Sequence, residues 1–132
     1  MVKSIKASDI PRMSRESRFF LLLFSSKDCE PCKSQERDLD QLEKQYNKIR
    51  GVHFRKIDVR GSKIIAKNED GKKIDVLKAL GVTSVPTMMM WVKGKQVGFK
   101  FQPNGLVTNK IEGQVKKDIL FREINRILAS HK

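Results

Sequence analysis

One apolar run dominates the hydrophobic pattern of this chain. Phe19-Phe20-Leu21-Leu22-Leu23-Phe24 is too short to cross a membrane and reads as a strand buried on both faces. It closes on Ser25-Ser26, and the period then changes. Leu39, Leu42, Tyr46 and Ile49 recur at spacings of three, four and three, predicting a helix from about Cys29 to about Arg50, with Gly51 as its C′ residue. Val52 to Val59, rich in β-branched and aromatic residues, predicts a second strand. Asp75 to Leu80 predicts a short helix stopped by Gly81, with Val76, Leu77 and Leu80 facing inward. Thr87 to Val92 predicts a strand, Lys93-Gly94 a turn, and Gln96 to Phe101 the hairpin partner of that strand. Pro103-Asn104-Gly105 marks a further turn, and Leu106 to Ile111 extends the hairpin or adds a strand. From Gln114 to about Ala129, the stripe Val115, Ile119, Leu120, Ile124, Ile127, Leu128 predicts a final helix.

Two stretches are weaker in pattern. Residues 1–18 are polar and basic, with Ile5, Ile10 and Met13 as anchors and Asp9 placed to cap a short helix that has Pro11 in its first turn. Residues 60–73 are basic and carry Gly61 and the turn signal Asn68-Glu69-Asp70-Gly71, while Ile64, Ile65 and Ala66 point to partial packing. The order is β-α-β-α-β-β-α after an N-terminal piece. Parallel crossovers first and a hairpin last give an α/β fold, a central mixed sheet with helices on both faces.

Both cysteines of the protein fall where the first core strand hands over to its helix, as Cys29-Glu30-Pro31-Cys32. Orphan N–H groups and the positive end of the helix dipole favour a thiolate there. A cysteine in this setting has its pKa lowered from about 8.5 to between about 3.5 and 7.5. Cys32, three residues on, shares the helical face and is close enough to form a disulfide. Pro31 fits the first turn, where its missing N–H would lack a partner. The expected result is an exposed attacking thiol and a shielded resolving one. Asp28 and Glu30 oppose a thiolate at Cys29, whereas Lys27 and Lys33 favour it.

These residues resemble the thioredoxin superfamily. The strand–C-x-x-C–helix junction, Val85-Pro86-Thr87 far downstream and Gly113 before the last helix carry the likeness, over about residues 19–128. The resemblance implies a thioredoxin fold in a single domain, with 60–73 and 99–110 as insertions. It implies a protein disulfide oxidoreductase with no cofactor beyond the Cys29–Cys32 disulfide, contributing to cell redox homeostasis. Its partners would be protein dithiols or disulfides and an upstream redox partner, and the expected state is a monomer. Cys29 would be the nucleophile, Cys32 the resolving thiol, and Asp28, Glu30, Pro31 and Lys33 the residues that tune them. Pro86 would follow a cis peptide bond and pack against the disulfide, and the backbone at Val85, Pro86 and Thr87 would offer an edge to an extended substrate.

Departures qualify the likeness. Thioredoxin has a tryptophan before its first cysteine, where this chain has Asp28. It has a buried aspartate in the preceding strand that assists proton transfer, where this chain has Leu23. Proton transfer would therefore use water, Glu36 or Glu30, and reduction is expected to be slower than by a typical thioredoxin. The Glu30-Pro31 pair and Lys33 also resemble the membrane-tethered thioredoxin-like reductases of cytochrome c maturation, which points to an extracytoplasmic subtype.

Composition narrows the remaining choices. A length of 132 residues suits one domain with a real core. A start without an apolar leader fits a cytoplasmic protein if the sequence is complete, and an extracytoplasmic or periplasmic one if a signal or anchor was removed. The net charge of +13 would suit acidic partners, but its lysines are spread along the chain with little aromatic interleaving, which argues against nucleic acid. Met88-Met89-Met90 with two cysteines invites a copper reading, yet adjacent strand residues face opposite ways and cannot converge on one metal. No metal is expected. The alternative from another class is a redox-inactive thioredoxin-fold binding module, using the peptide groove or the basic surface to hold a protein or acidic partner.

Overall fold

The structure, a computed structural model, describes residues 1–60, 65–67, 70–101 and 106–131, with only the backbone of Ile65, Phe101, Leu106 and Val107. The strand predicted from the apolar run is β2 (Phe19–Ser25), and all of it is buried. It lies at the centre of a six-stranded sheet because it has partners on both edges and helices on both faces. β3 (Val52–Asp58) pairs with it in parallel, and β6 (Thr87–Val92) pairs with it antiparallel. A short β1 (Lys3–Ser4) adds in parallel beyond β3.

Strand alternation sorts the core into two layers. Phe19, Leu21, Leu23, Met88, Met90 and Val92 face a cluster that includes Leu39, Leu42 and Tyr46 of α2 (Glu30–Tyr46) and Leu120, Ile124 and Ile127 of α4 (Lys117–Ser130). Phe20, Leu22, Phe24, Met89 and Trp91 face the other cluster, with Ile10 of α1 (Ile10–Glu16) and Val76 of α3 (Val76–Leu80). Each such side chain, fully buried, contributes about 1.5–3 kcal/mol. The consecutive methionines thus divide between the two layers and fill core space.

Several predicted boundaries move. α2 ends at Tyr46, not Arg50; Ile49 packs on the core from the following turn, and Gly51 belongs to that turn rather than to a helix cap. Gly51 has φ +83° and its carbonyl accepts from Phe19 N–H, so it starts the β2–β3 register. α4 begins at Lys117, so Val115 is buried ahead of the helix rather than on it. Asp9 does precede α1, but its carboxylate accepts from Lys6 N–H at 3.0 Å and caps the preceding short turn instead of α1. Asp75 caps α3 through Leu77 N–H, and Gly81 ends it in the left-handed conformation.

The 60–73 stretch contains β4 (Ile65–Lys67), which forms an antiparallel pair with β5 (Lys73–Asp75), and Ala66 packs on the second core layer. Gly61, Ile64, Asn68 and Glu69 lie outside the described residues, as does the Pro103-Asn104-Gly105 turn.

The largest correction concerns the hairpin after β6. β7 (Lys95–Val97) pairs with β6 as expected, across a turn in which Lys93 and Gly94 both have positive φ. The chain then leaves the sheet. β8 (Phe99–Phe101) pairs with β9 (Leu106–Thr108) instead, and β10 (Ile111–Glu112) returns to the β6 edge. Val97 stands opposite Met90 and Ile111 opposite Met88, so a single β6 position separates the two pairings and the described residues of 99–110 leave an otherwise continuous edge. Gly98 is required at the neck of that excursion, because a Cβ there would overlap the Thr108 carbonyl. α4 holds the excursion: buried Glu123 accepts from Lys100 N–H at 2.5 Å, and Arg126 donates to Gly98 O at 3.0 Å.

Candidate active site

The parallel β2–β3 register and the antiparallel β2–β6 register bring three chain segments to one end of the sheet. Ser25 stands opposite Asp58, and Phe24 opposite Thr87. The loop after β2, the residues after Asp58 and the segment before Thr87 therefore meet where α2 begins.

Cys29 is the N-cap of α2, with φ −105° and ψ 108°, and its Sγ accepts from Cys32 N–H at 3.1 Å. It is disulfide-bonded to Cys32, with the Cα atoms 5.2 Å apart. Cys29 is half-buried, whereas Cys32 is 1% exposed. An incoming reactant can reach only the first sulfur. Pro31 occupies the first turn of the helix and is exposed.

The carboxylates flanking the disulfide are paired. Asp28 meets the Arg60 guanidinium at 2.9 Å, and Arg60 also turns back to Asp58 through its backbone N–H. Glu30 meets Lys33 at 3.3 Å. Both carboxylates are highly exposed, so these pairs contribute little stability, but each places a cation beside a charge that would oppose a thiolate. Lys27 is exposed on the same side. Leu23 is wholly buried in the apolar layer, and the carboxylate on the inner side of the site comes from α2 instead. Glu36, one turn beyond Cys32 on the same helical face, accepts from Ser25 Oγ at 3.1 Å and pairs with Lys56 at 3.7 Å. Glu30 points to solvent. Buried Gln35 ties this part of α2 to the residue before α4, accepting from Val115 N–H at 2.7 Å and donating to Val115 O at 3.2 Å.

The Val85–Pro86 peptide bond is cis. Pro86 is buried, and its carbonyl accepts from Gly113 N–H at 2.8 Å, while Thr87 Oγ1 donates to Ser84 O at 2.8 Å. Among the described residues the backbone N–H and C=O of half-buried Val85 have no partner. Val85 thus leaves an unpaired strand edge at the end of the sheet that carries Cys29. Among the described residues no three His, Cys, Asp or Glu side chains come together to hold a metal, and no helix is long and apolar enough to span a membrane. His53 sits on β3 and His131 follows α4, both away from the cysteines in sequence and element.

Arg60, Ser25 and Gln35 were not legible as site residues. The only signal for Arg60 was its place just after a strand that would end beside β2.

A central mixed sheet of this strand order, with a C-x-x-C disulfide where the core strand enters its helix, makes this a thioredoxin-superfamily protein. More narrowly, residues 8–100 match the family described as TraF, F plasmid transfer operon protein, and the chain belongs to that family. Solved structures agree in fold. Thioredoxin f2 of Chlamydomonas reinhardtii is 17% identical with a TM-score of 0.67, covering 96% of each chain. Oxidized mitochondrial thioredoxin 3 of Saccharomyces cerevisiae is 21% identical with a TM-score of 0.65, covering 95% of this chain and 94% of that one. A mutant thioredoxin from Halobacterium salinarum is 19% identical with a TM-score of 0.64, covering 98% of this chain and 88% of that one. No curated protein matches the chain.

Proposed function

We propose that the protein is a thiol–disulfide oxidoreductase that exchanges dithiol and disulfide with protein substrates through Cys29 and Cys32. The observation that carries this reading is the pairing of an accessible sulfur at a helix N-terminus with a buried one three residues on. In the reducing direction the Cys29 thiolate attacks one sulfur of a substrate disulfide. A mixed disulfide forms and the second substrate sulfur leaves as a thiolate, which takes up a proton. Cys32 then loses its proton and attacks Cys29 Sγ, releasing the substrate dithiol and leaving the Cys29–Cys32 disulfide. Two electrons pass to the substrate, and an upstream dithiol restores the protein. The reverse sequence oxidises a substrate dithiol.

Local groups serve each step. The Cys32 N–H that now reaches Cys29 Sγ stabilises the thiolate at that position, together with the α2 dipole. Lys33 and Arg60 offset the Glu30 and Asp28 charges, and Pro31 fixes the first helical turn. The unpaired backbone of Val85 receives an extended substrate segment, held in place by Pro86 and Thr87. With Leu23 buried and apolar, Glu36 takes the Cys32 proton through water, and this makes reduction slower than in a typical thioredoxin. Residues 60–73 and 99–110 are insertions relative to the superfamily core.

The test is a pair of variants assayed on a protein disulfide. Cys29→Ser should abolish turnover, and Cys32→Ser should accumulate a mixed disulfide that dithiothreitol releases. Undiminished turnover by Cys29→Ser would refute the reading.

A further inference from the structure

A cavity of about 500 Å³ opens at the C-terminal end of α2, at the opposite end of that helix from the cysteines. Its volume falls within the range of small-ligand sites. Tyr46, Ile49, Val52 and Phe54 contribute an apolar and aromatic lining, because β1 pairs with β3 only at Arg55 and Lys56 and leaves the earlier part of that edge uncovered. The cavity is also lined by Lys3, Lys44, Arg50 and Arg55. None of these has a carboxylate partner among the described residues, whereas Lys33, Lys56 and Arg60 near the disulfide are paired. Arg55 instead donates to the carbonyl of its neighbour Phe54 at 2.8 Å.

One lining carboxylate, Glu43, opposes this charge, and it is engaged by the Met1 ammonium at 3.4 Å. The α2 C-terminus contributes about half a negative charge, less than any one of the lining cations supplies. Complementing the helix dipole therefore accounts for Lys44 alone, not for the set. A concave site walled by one sign of charge concentrates counter-ions. Burial, and to a lesser degree the Arg55 guanidinium, holds His53, also on the wall, below its usual pKa.

We infer that this cavity is a binding site for a small multivalent anion of phosphate chemistry, separate from the dithiol. Guanidinium groups match phosphate oxygens in bidentate fashion, and lysines add point charge. The concavity favours a compact ligand over a long polyanion, which needs an extended basic track. The source is either inorganic (a phosphate or pyrophosphate) or the phosphate chain of a nucleotide, whose base would lie on the half-buried Ile49 and Val52 side.

The experiment uses the oxidised protein, so its outcome is independent of thiol chemistry. Inorganic pyrophosphate and ATP are titrated separately by amide NMR at low ionic strength. Shifts should concentrate at Tyr46, Arg50, His53 and Arg55, and the affinity should fall as salt rises. Tighter binding of ATP would assign a nucleotide, and equal binding the phosphate alone. The double variant Lys44→Glu/Arg50→Glu should weaken binding at least about tenfold, while Glu43→Gln should tighten it. Lys73→Glu/Lys78→Glu, with the same charge change on β5 and α3, which pack on the other face of the sheet, should weaken it far less. Equal losses in the two double variants would reduce the effect to general attraction to a basic protein and overturn the inference. So would binding of both probes weaker than about 1 mM.

Discussion

Gln35 gives the sharpest test of how the site is held. Its amide is fully buried and makes both available backbone bonds to Val115, one donated and one accepted, joining α2 three residues after Cys32 to the lead-in of α4. Gln35→Met keeps the volume and removes both bonds. Two buried backbone groups of Val115 then lose their partners, at about 1–3 kcal/mol each, so the variant should lose about 2–6 kcal/mol. With a urea m-value of about 2 kcal/mol per molar, the midpoint should fall by about 1–3 M. The single tryptophan, Trp91, is buried and stacked on Phe20 at 5.4 Å, which makes its fluorescence a direct probe of core unfolding. Gln35→Glu sharpens the argument. A carboxylate still accepts from Val115 N–H but faces Val115 O with another oxygen, whereas a protonated carboxyl can donate to it. Its folded pKa is then raised, so its stability relative to the parent should be best below about pH 4.3 and decline as pH rises through the folded value. A Gln35→Met midpoint within experimental error of the parent would refute the reasoning.

Other consequences are equally specific. Gly98→Ala forces a methyl group into the Thr108 carbonyl and should cost about 2–3 kcal/mol, with faster proteolysis confined to the 99–110 excursion; unchanged proteolysis would contradict the close approach. Glu36→Gln should slow release of the trapped mixed disulfide about tenfold or more in single turnover, while leaving the initial attack by Cys29 unaltered; equal release rates would remove Glu36 from the proton path. Burial raises the Tyr46 phenol from 10.0 to about 12. It is the only tyrosine, so tyrosinate absorbance should show a midpoint near about 12 in the folded protein and near 10.0 after unfolding in urea. The unfolded chain releases this proton first, so stability is intact below pH 10 and declines as pH rises toward the folded value. A folded midpoint near 10 would show the hydroxyl, bonded to Asn125 at 2.6 Å, to be freely hydrated.

Local patterns carried most of the architecture. The apolar run of β2, the 3.6-residue stripe of α2 and the cap pair Asp75 and Gly81 of α3 each report their own surroundings, and each is where the periodicity placed it. Partner choice was a different matter. Phe99-Lys100-Phe101 alternates as a continuation of β7 would, yet Glu123 and Arg126, more than 20 residues away, hold its backbone off the sheet. Helix ends were overrun for a related reason. Half-buried Ile49 and buried Val115 pack like helical residues but sit in the turn after α2 and the irregular lead-in to α4, so apolar periodicity extended past the hydrogen bonding. At the site, the two sulfurs and their unequal exposure follow from spacing and the strand–helix junction. The pairing of Asp28 with Arg60, and of Glu36 with Ser25 and Lys56, depends on which strand ends the sheet brings together, and no local pattern encodes that.

The most direct measurement is the reduction potential of the Cys29–Cys32 pair, by equilibration against glutathione and dithiothreitol buffers. An exchanging site should titrate reversibly between about −120 and about −270 mV, the low end marking a reductant and the high end a disulfide donor. A disulfide that stays closed below about −300 mV, as structural bonds do, would contradict an exchange function for this site.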